Sequence, residues 1–270
     1  MAMMSISTTS GFRCSDVTVL RLILIACIGV LHVQVGIAHS DLLLQIDAVS
    51  RQLELEPNND ALLIKRGDLY RRHLDYEAAE RDFSAARKAN PANPLNDFFS
   101  GRLALETGDA QAADILLSRH VQQQPQDAAA WVLRGRAGMA LGEFDRAAED
   151  FAHAIERSPR PSPELFRLQV LALVAGDQYA KALEVLDAGL ARIPGEVNLI
   201  ALAADTSLVA GDNDRAALYM SLAPEPLFQI ERWQQLRARV TCSDERIGTT
   251  PDACLDQAVK DLNRQIEAMR

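Results

Sequence analysis

The sequence predicts an all-α fold, a stack of helix pairs, and two observations lead to this prediction. The first is a fixed period, because prolines recur at steps of 34, 34, 34 and 35 residues: Pro57, Pro91, Pro125, Pro159 and Pro194. The second is that the intervals contain two amphipathic helix patterns separated by a turn, as in residues 131–159. A period of this length indicates one supersecondary unit that is copied along the chain and buries its apolar face against the next copy.

The residues that recur at this period identify the type of repeat. The first and third copies share four of them at equal offsets, in the pairs Gly67 and Gly135, Ala79 and Ala147, Phe83 and Phe151, and Pro91 and Pro159. With Tyr70 and Trp131, these positions resemble the tetratricopeptide repeat, whose pattern is W-x2-L-G-x2-Y, then A-x3-F, then P. The resemblance implies a right-handed α-solenoid whose first helices line a concave groove, with a protein or peptide as the partner.

The recurring glycines have two predicted roles. Gly67, Gly101 and Gly135 lie inside first helices, where glycine costs about 1 kcal/mol relative to alanine, so close approach of the second helix is the expected compensation. A second set of glycines follows the first helices and is expected to adopt the left-handed conformation that ends a helix. This set consists of Gly108, Gly142, Gly176 and Gly211.

The chain divides into four predicted segments. Residues 1–40 resemble a secretory signal, and residues 41–57 are expected to form a helix that caps the N-terminal end of the stack. Residues 58–226 contain four repeats, at 60–93, 94–127, 128–161 and 162–196, and a divergent fifth copy. Residues 227–270 are expected to form a helical tail.

The N-terminal segment predicts export from the cytoplasm. Arg13 and Arg21 precede an apolar run of about 17 residues, and small residues that suit cleavage follow at Ala38 and Ser40. A membrane span needs about 20 mostly apolar residues, so a cleaved signal is favoured over a retained anchor or a lipoprotein box at Cys27. We therefore expect a bacterial periplasmic protein, or a membrane-anchored one that faces the periplasm if the segment is retained.

The tail contains Cys242 and Cys254, which are the two cysteines left once the signal is removed. Two cysteines in an exported chain favour a disulfide, and two free thiols are the alternative. A metal site at this pair is disfavoured because no histidine lies nearby in the sequence.

Composition and motifs argue against several function classes. The formal net charge of −9 argues against a nucleic-acid partner, since binding phosphates depends on clustered lysine and arginine. The sequence contains no metalloprotease, phosphate-loop, hydrolase or dinucleotide-binding motif. We therefore predict a protein that is not an enzyme and that uses no cofactor and no metal.

Three rows of residues on the first helices are predicted to line the concave groove, because they are spaced at i, i+4 and i+7 on one helical face. The candidate partner-binding residues in these rows are Ile64, Arg71, Phe98, Arg102, Val132, Arg136, Met139, Phe166 and Val170. Apolar pockets flanked by arginines suit an extended or helical peptide that carries an acidic group or a free C-terminus. The alternative is that these rows pack the first helices together or are covered by the tail from Leu227 onward.

The predicted function is that of a scaffold or adaptor that binds a protein segment in the groove. Two other functions stay open at this point. One is a structural subunit of a cell-envelope complex that acts through its outer face or its tail, and the other is a regulatory subunit associated with an enzyme.

Overall fold

The computed structural model describes residues 41–241 and 251–269, with side chains from 255 onward in the second range. These residues belong to two compact units, residues 1–85 and residues 86–270, and each unit is described separately. The predicted signal at residues 1–40 lies outside the described residues. Among the described residues, no helix combines the length and the apolar character that crossing a bilayer requires.

The first unit contains helix α1 (residues 41–55), helix α2 (Asp60–Arg72) and most of helix α3 (Tyr76–Ala89). The side chain of Asn59 caps α2 by accepting a hydrogen bond from the backbone N–H of Leu62 at 3.1 Å. Helix α1 buries one face through Ile46, Val49 and Leu53, as the predicted capping helix requires.

The second unit begins in α3 and continues as a series of helices separated by short turns. The helices are α4 (Leu95–Glu106), α5 (Ala110–Gln123), α6 (Ala128–Leu141), α7 (Phe144–Arg157), α8 (Pro163–Ala175), α9 (Tyr179–Arg192), α10 (Val197–Val209) and α11 (Asn213–Ser221). Each helix from α4 to α11 packs mainly on the helices next to it in the sequence. This pattern is the one expected of an all-α solenoid, and the described residues contain no strand.

The close packing predicted at the interior glycines is present in both units. A Cβ atom at Gly135 would lie 2.7 Å from Cε1 of Phe151, and one at Gly67 would lie even closer to Cε1 of Phe83. Phe83 and Phe151 are fully buried. Glycine is therefore needed in these first helices because the aromatic ring of the second helix occupies the space that a side chain would fill.

The prediction of left-handed glycines was correct at three positions and wrong at Gly176. Gly108, Gly142 and Gly211 have φ between 78° and 85°, whereas Gly176 has φ −94° and Asp177 has φ 56° instead. Repeat four carries one inserted residue in this turn, and the insertion moves the left-handed position one residue along the chain.

The tail consists of a 3-10 turn (Glu225–Gln229), helix α12 (Glu231–Val240) and helix α13 (Pro251–Glu267). The helix predicted from Leu227 thus begins later, at Glu231, because the chain around Pro224 and Pro226 forms the turn. Helix α12 packs on α10 and α11, and α13 packs on α10 and α8. The tail therefore covers part of the first-helix surface.

Candidate functional site

An open groove lies between the first helices α4 and α6 of the second unit. It encloses about 580 Å³. Its lining combines apolar side chains, two arginines and the end of the tail: Phe98, Arg102, Leu105, Glu106, Ala129, Val132, Leu133, Arg136, Ala268 and Met269. The groove is of a size that suits a few side chains of a partner segment.

Four of the predicted partner-binding residues meet in this groove. Phe98 and Arg102 come from α4, and Val132 and Arg136 come from α6, one helical turn apart in each case. The structure brings them together because equivalent offsets in consecutive repeats stack side by side. Their role in binding a partner stays a prediction.

The other five predicted residues are buried rather than open to the groove. Met139, Phe166 and Val170 belong to the hydrophobic core of the second unit, with exposed fractions of 0, 2 and 0%. Ile64 and Arg71 lie in the first unit, where Ile64 is buried and Arg71 pairs with Asp68 at 2.7 Å. In this structure none of the five presents its side chain to a ligand at the surface.

Phe98 is held at the base of the groove by contacts on two sides. It is half-buried and packs against one apolar cluster that includes Val121 and Trp131 and another that includes Leu117. Its ring also lies 5.3 Å from the ring of His120, centroid to centroid. These contacts leave only part of the ring available to a ligand and fix its position.

The two arginines of the groove keep their charge accessible. Arg136 is exposed and forms no ion pair with any residue in the ranges that the structure covers. The side chain of Arg102 is 39% exposed, and its Nε atom lies 3.4 Å from Oε1 of Glu106. Exposed ion pairs of this kind contribute about 0–1 kcal/mol, so Arg102 can exchange Glu106 for a carboxylate of a partner at little cost.

His120 links the starts of the two helices that form the groove. Its Nδ1 atom lies 2.9 Å from the carbonyl oxygen of Pro94, just before α4, and its Nε2 atom lies 2.9 Å from Oδ2 of Asp127. The other carboxylate oxygen of Asp127 caps α6 by accepting from the backbone N–H of Ala129 at 3.0 Å. His120 stands at the repeat offset of the small residues Ala86 and Ala154, and that substitution alone does not predict this connection.

A second buried polar side chain of this repeat also stands where the third repeat has an apolar one, and polar contacts again hold it in place. Asp97 occupies the offset at which Trp131 stands in the third repeat, yet it is only 6% exposed. Its Oδ1 atom accepts from Arg87 at 2.7 Å and from Arg119 at 3.1 Å. An ion-paired carboxylate thus fills a site that an aromatic ring fills elsewhere in the stack.

The first-helix surface beyond the groove is covered by α13. Ala258, Leu262 and Ile266 of α13 are buried, and the helix packs on α8 and α10. Arg239 of α12 holds this arrangement, since it donates to Asp205 of α10 at 2.7 Å and to Asp261 of α13 at 2.9 Å. Of the two possibilities left open by the sequence, the covered face therefore applies to α8 and α10, and the open groove applies to α4 and α6.

Among the carboxyl groups of the second unit with a resolved shift, Asp205 has the pKa that lies furthest from its ordinary value. Burial raises the pKa of Asp205 to about 6, and the nearby Arg239 opposes that rise. Its carboxylate borders a smaller cavity of about 440 Å³ next to Arg232 and Glu164. Asp205 pairs with Arg239 of α12, so its carboxylate is part of the contact between α10 and the tail.

The predicted disulfide involves two cysteines whose side chains the structure does not describe. Cys242 lies outside the described residues, and for Cys254 only the helical backbone of α13 is described, so the disulfide stays a prediction. Within the described ranges, no group of three His, Cys, Asp or Glu side chains is arranged to hold a metal ion.

Comparisons with known proteins agree with the architecture. The profile of the family described as "Tetratricopeptide repeat" matches residues 64–128 and 101–163. A comparison with curated protein sequences finds no match.

Several solved structures share the fold at low sequence identity. YrrB, described as a TPR protein with an unusual peptide-binding site, is 22% identical over 59% of this chain and 82% of its own, with a TM-score of 0.50. MamA of Desulfovibrio magneticus RS-1 is 19% identical over 56% and 85%, with a TM-score of 0.51. A tetratricopeptide repeat protein of Parabacteroides merdae ATCC 43184 is 18% identical over 85% and 87%, with a TM-score of 0.55. Residues 64–163 thus contain tetratricopeptide repeats, and the described residues form an all-α solenoid.

Proposed function

We propose that this protein is a non-catalytic scaffold that binds a segment of another protein in the groove between α4 and α6. The observation that carries the proposal is the combination of an open apolar surface, formed by Phe98, Leu105 and Val132, with the accessible charges of Arg102 and Arg136. Apolar side chains of the partner would displace water from this surface, at roughly 25 cal/mol for each Å² of apolar area buried. The arginines would orient the segment by pairing with a carboxylate, either a side chain or a free C-terminus.

The groove also offers little that an enzyme would need. The titratable groups that line it are two arginines and Glu106, and they provide no nucleophile next to a base. The tetratricopeptide-repeat fold supports the same conclusion by analogy, because the repeat serves as a binding scaffold in proteins with unrelated functions.

We further propose that the protein is exported to the periplasm. A scaffold in the periplasm would lose residues up to Ala38 or Ser40, and its Cys242 and Cys254 would then form a disulfide. We expect N-terminal sequencing of protein recovered from the periplasm to begin at His39 or Asp41. An intact N-terminus on that protein would contradict cleavage and favour the retained anchor.

Charge reversal of the groove tests the binding site directly. We expect the double variant Arg102→Glu/Arg136→Glu to lose the partner in a pull-down from cell-envelope extract, because each glutamate would repel the acidic group that an arginine attracts. A loss of about 100-fold or more in affinity is expected for the purified partner, since two charge-assisted contacts contribute about 1.5–3 kcal/mol each and about 1.4 kcal/mol corresponds to a tenfold change. Helical content and melting temperature should change little, because both side chains are at least one-third exposed.

The matched control is the double variant Arg160→Glu/Arg192→Glu. It changes the net charge by the same amount at exposed positions outside the residues that line the groove. Equal loss of the partner in both variants would show that overall charge, not the groove, governs binding. Retention of the partner in the groove variant would transfer the function to the outer face or the tail, as expected of an assembly subunit.

A further inference from the structure

Helix α13 shows what kind of segment the inner face of this solenoid accommodates. It is an amphipathic helix that lies on α8 and α10 through Ala258, Leu262 and Ile266, which are spaced four residues apart. Its partner surface on these two helices is apolar, and the ion pair between Arg239 and Asp261 fixes the helix from the side. The chain therefore contains its own example of a helix bound to the face formed by first helices.

The open groove continues the surface that α13 covers. The first and third rows of the face are apolar on α8 and α10 and also on α4 and α6. The residues of these rows are Phe166, Leu173, Ala201 and Leu208 in the covered part and Phe98, Leu105 and Val132 in the groove part, whereas Met139 of the third row is buried in the core. The two parts differ in the middle row, which holds Val170 and Asp205 under α13 but Arg102 and Arg136 in the groove.

The end of α13 also gives the direction in which the surface continues. Ala268 and Met269, just after the last turn of α13, form one wall of the groove between α4 and α6. A segment that enters the groove therefore meets the end of α13 and extends along the same face.

We propose that the partner segment is an acidic amphipathic α-helix that lies in the groove in line with α13. The inference rests on the proposed function and adds the conformation and charge of the ligand. An apolar stripe with the spacing of Ala258, Leu262 and Ile266 would face Phe98 and Val132. Acidic residues beside the stripe would pair with Arg102 and Arg136, as Asp261 of α13 pairs with Arg239.

The length of such a helix follows from the dimensions of helices. Packed helices lie about 8–10 Å apart, so a segment that crosses both α4 and α6 spans about 20 Å. At 1.5 Å for each residue, this distance corresponds to about 13 residues. A peptide of the length of residues 255–269 is thus long enough to serve as a probe.

The test uses two synthetic peptides and the full chain. The first peptide has the sequence of residues 255–269 with Lys260→Glu and Arg264→Glu, which keeps the apolar stripe and adds acidic groups beside it. The second peptide also carries Asn263→Pro, which disfavours the helix at an exposed position without changing the stripe. Binding of each labelled peptide is measured by fluorescence anisotropy with the unmodified chain, the Arg102→Glu/Arg136→Glu variant and the Arg160→Glu/Arg192→Glu variant.

We expect the first peptide to bind the unmodified chain and the Arg160→Glu/Arg192→Glu control. Its affinity should fall at least tenfold with the groove variant. The proline peptide should bind about 100-fold more weakly, because an interior proline disfavours the helix by about 3 kcal/mol.

Other results would overturn the inference and leave the proposed function to its own test. Equal affinity for the two peptides would show that the groove takes an extended segment. Unchanged binding of the first peptide to the groove variant would place it elsewhere, with displacement of α13 from α8 and α10 as the alternative site. Binding of neither peptide would show that the groove does not take a helix of the α13 type, whereas the pull-down would still decide whether the groove binds a partner.

Discussion

Replacement of Arg134 by methionine is expected to lower the free energy of unfolding by about 3–5 kcal/mol. Arg134 donates from Nε and Nη2 to the two carboxylate oxygens of Asp150, at 3.0 and 2.5 Å. The side chain of Asp150 is only 1% exposed, so removal of the arginine leaves an uncompensated charge inside the protein. Denaturation by urea, followed by circular dichroism, measures the change.

The dependence of this loss on pH gives a second measurement on the same variant. Burial raises the pKa of Asp150 above its ordinary value, and Arg134 counteracts the rise. Without Arg134 the pKa should rise further, so the folded variant binds a proton at a pH at which its unfolded chain does not. The variant should therefore recover stability relative to the unmodified protein as the pH falls, and a loss that is constant with pH would contradict this explanation.

A double variant separates the ion pair from the space that it fills. Arg134→Met with Asp150→Leu removes both charges and should recover most of the stability lost in Arg134→Met, because no unpaired charge remains. The first repeat contains an equivalent pair at the same offsets, in which Arg66 donates to both oxygens of Asp82 at 2.7 Å. If the double variant is as unstable as the single one, packing by the arginine stem, not charge, is the cause.

Replacement of Phe151 by alanine is expected to cost a similar 3–5 kcal/mol. The ring is fully buried and occupies the space beside Gly135, so its removal leaves a cavity between α6 and α7 that the helices cannot close without moving. In a linear stack the loss should concentrate on the neighbouring helices, since each repeat contacts mainly its neighbours. Hydrogen exchange should therefore show faster exchange in α6, α7 and α8 than in α11.

The control for this variant is Leu218→Ala on α11, where the side chain is 62% exposed. We expect a change within about 0.5 kcal/mol, because surface substitutions seldom affect stability more. A loss below about 1 kcal/mol for Phe151→Ala would mean that α6 and α7 repack around the missing ring.

The sequence alone determined the helix pairs and the close contacts at Gly67 and Gly135. It could do so because these features repeat, and each depends on residues less than one period apart. The left-handed glycines after the first helices were predictable for the same reason. The exception is Gly176, where an inserted residue moves the left-handed position to Asp177. The apolar rows with Arg102 and Arg136 were also predictable, since equal offsets in stacked repeats lie side by side.

The tertiary structure alone decided which part of the predicted groove is open. Helix α13 has no counterpart in the repeat, and its position on α8 and α10 depends on contacts between parts of the chain that are far apart in sequence. Phe166 and Val170, on the helix α8 where α13 packs, are buried, whereas their equivalents Phe98 and Arg102 line the open groove. The connection of α4 to α6 through His120 is decided in the same way. A period predicts which residues are equivalent, but burial depends on what packs against each of them, and only the folded chain determines that.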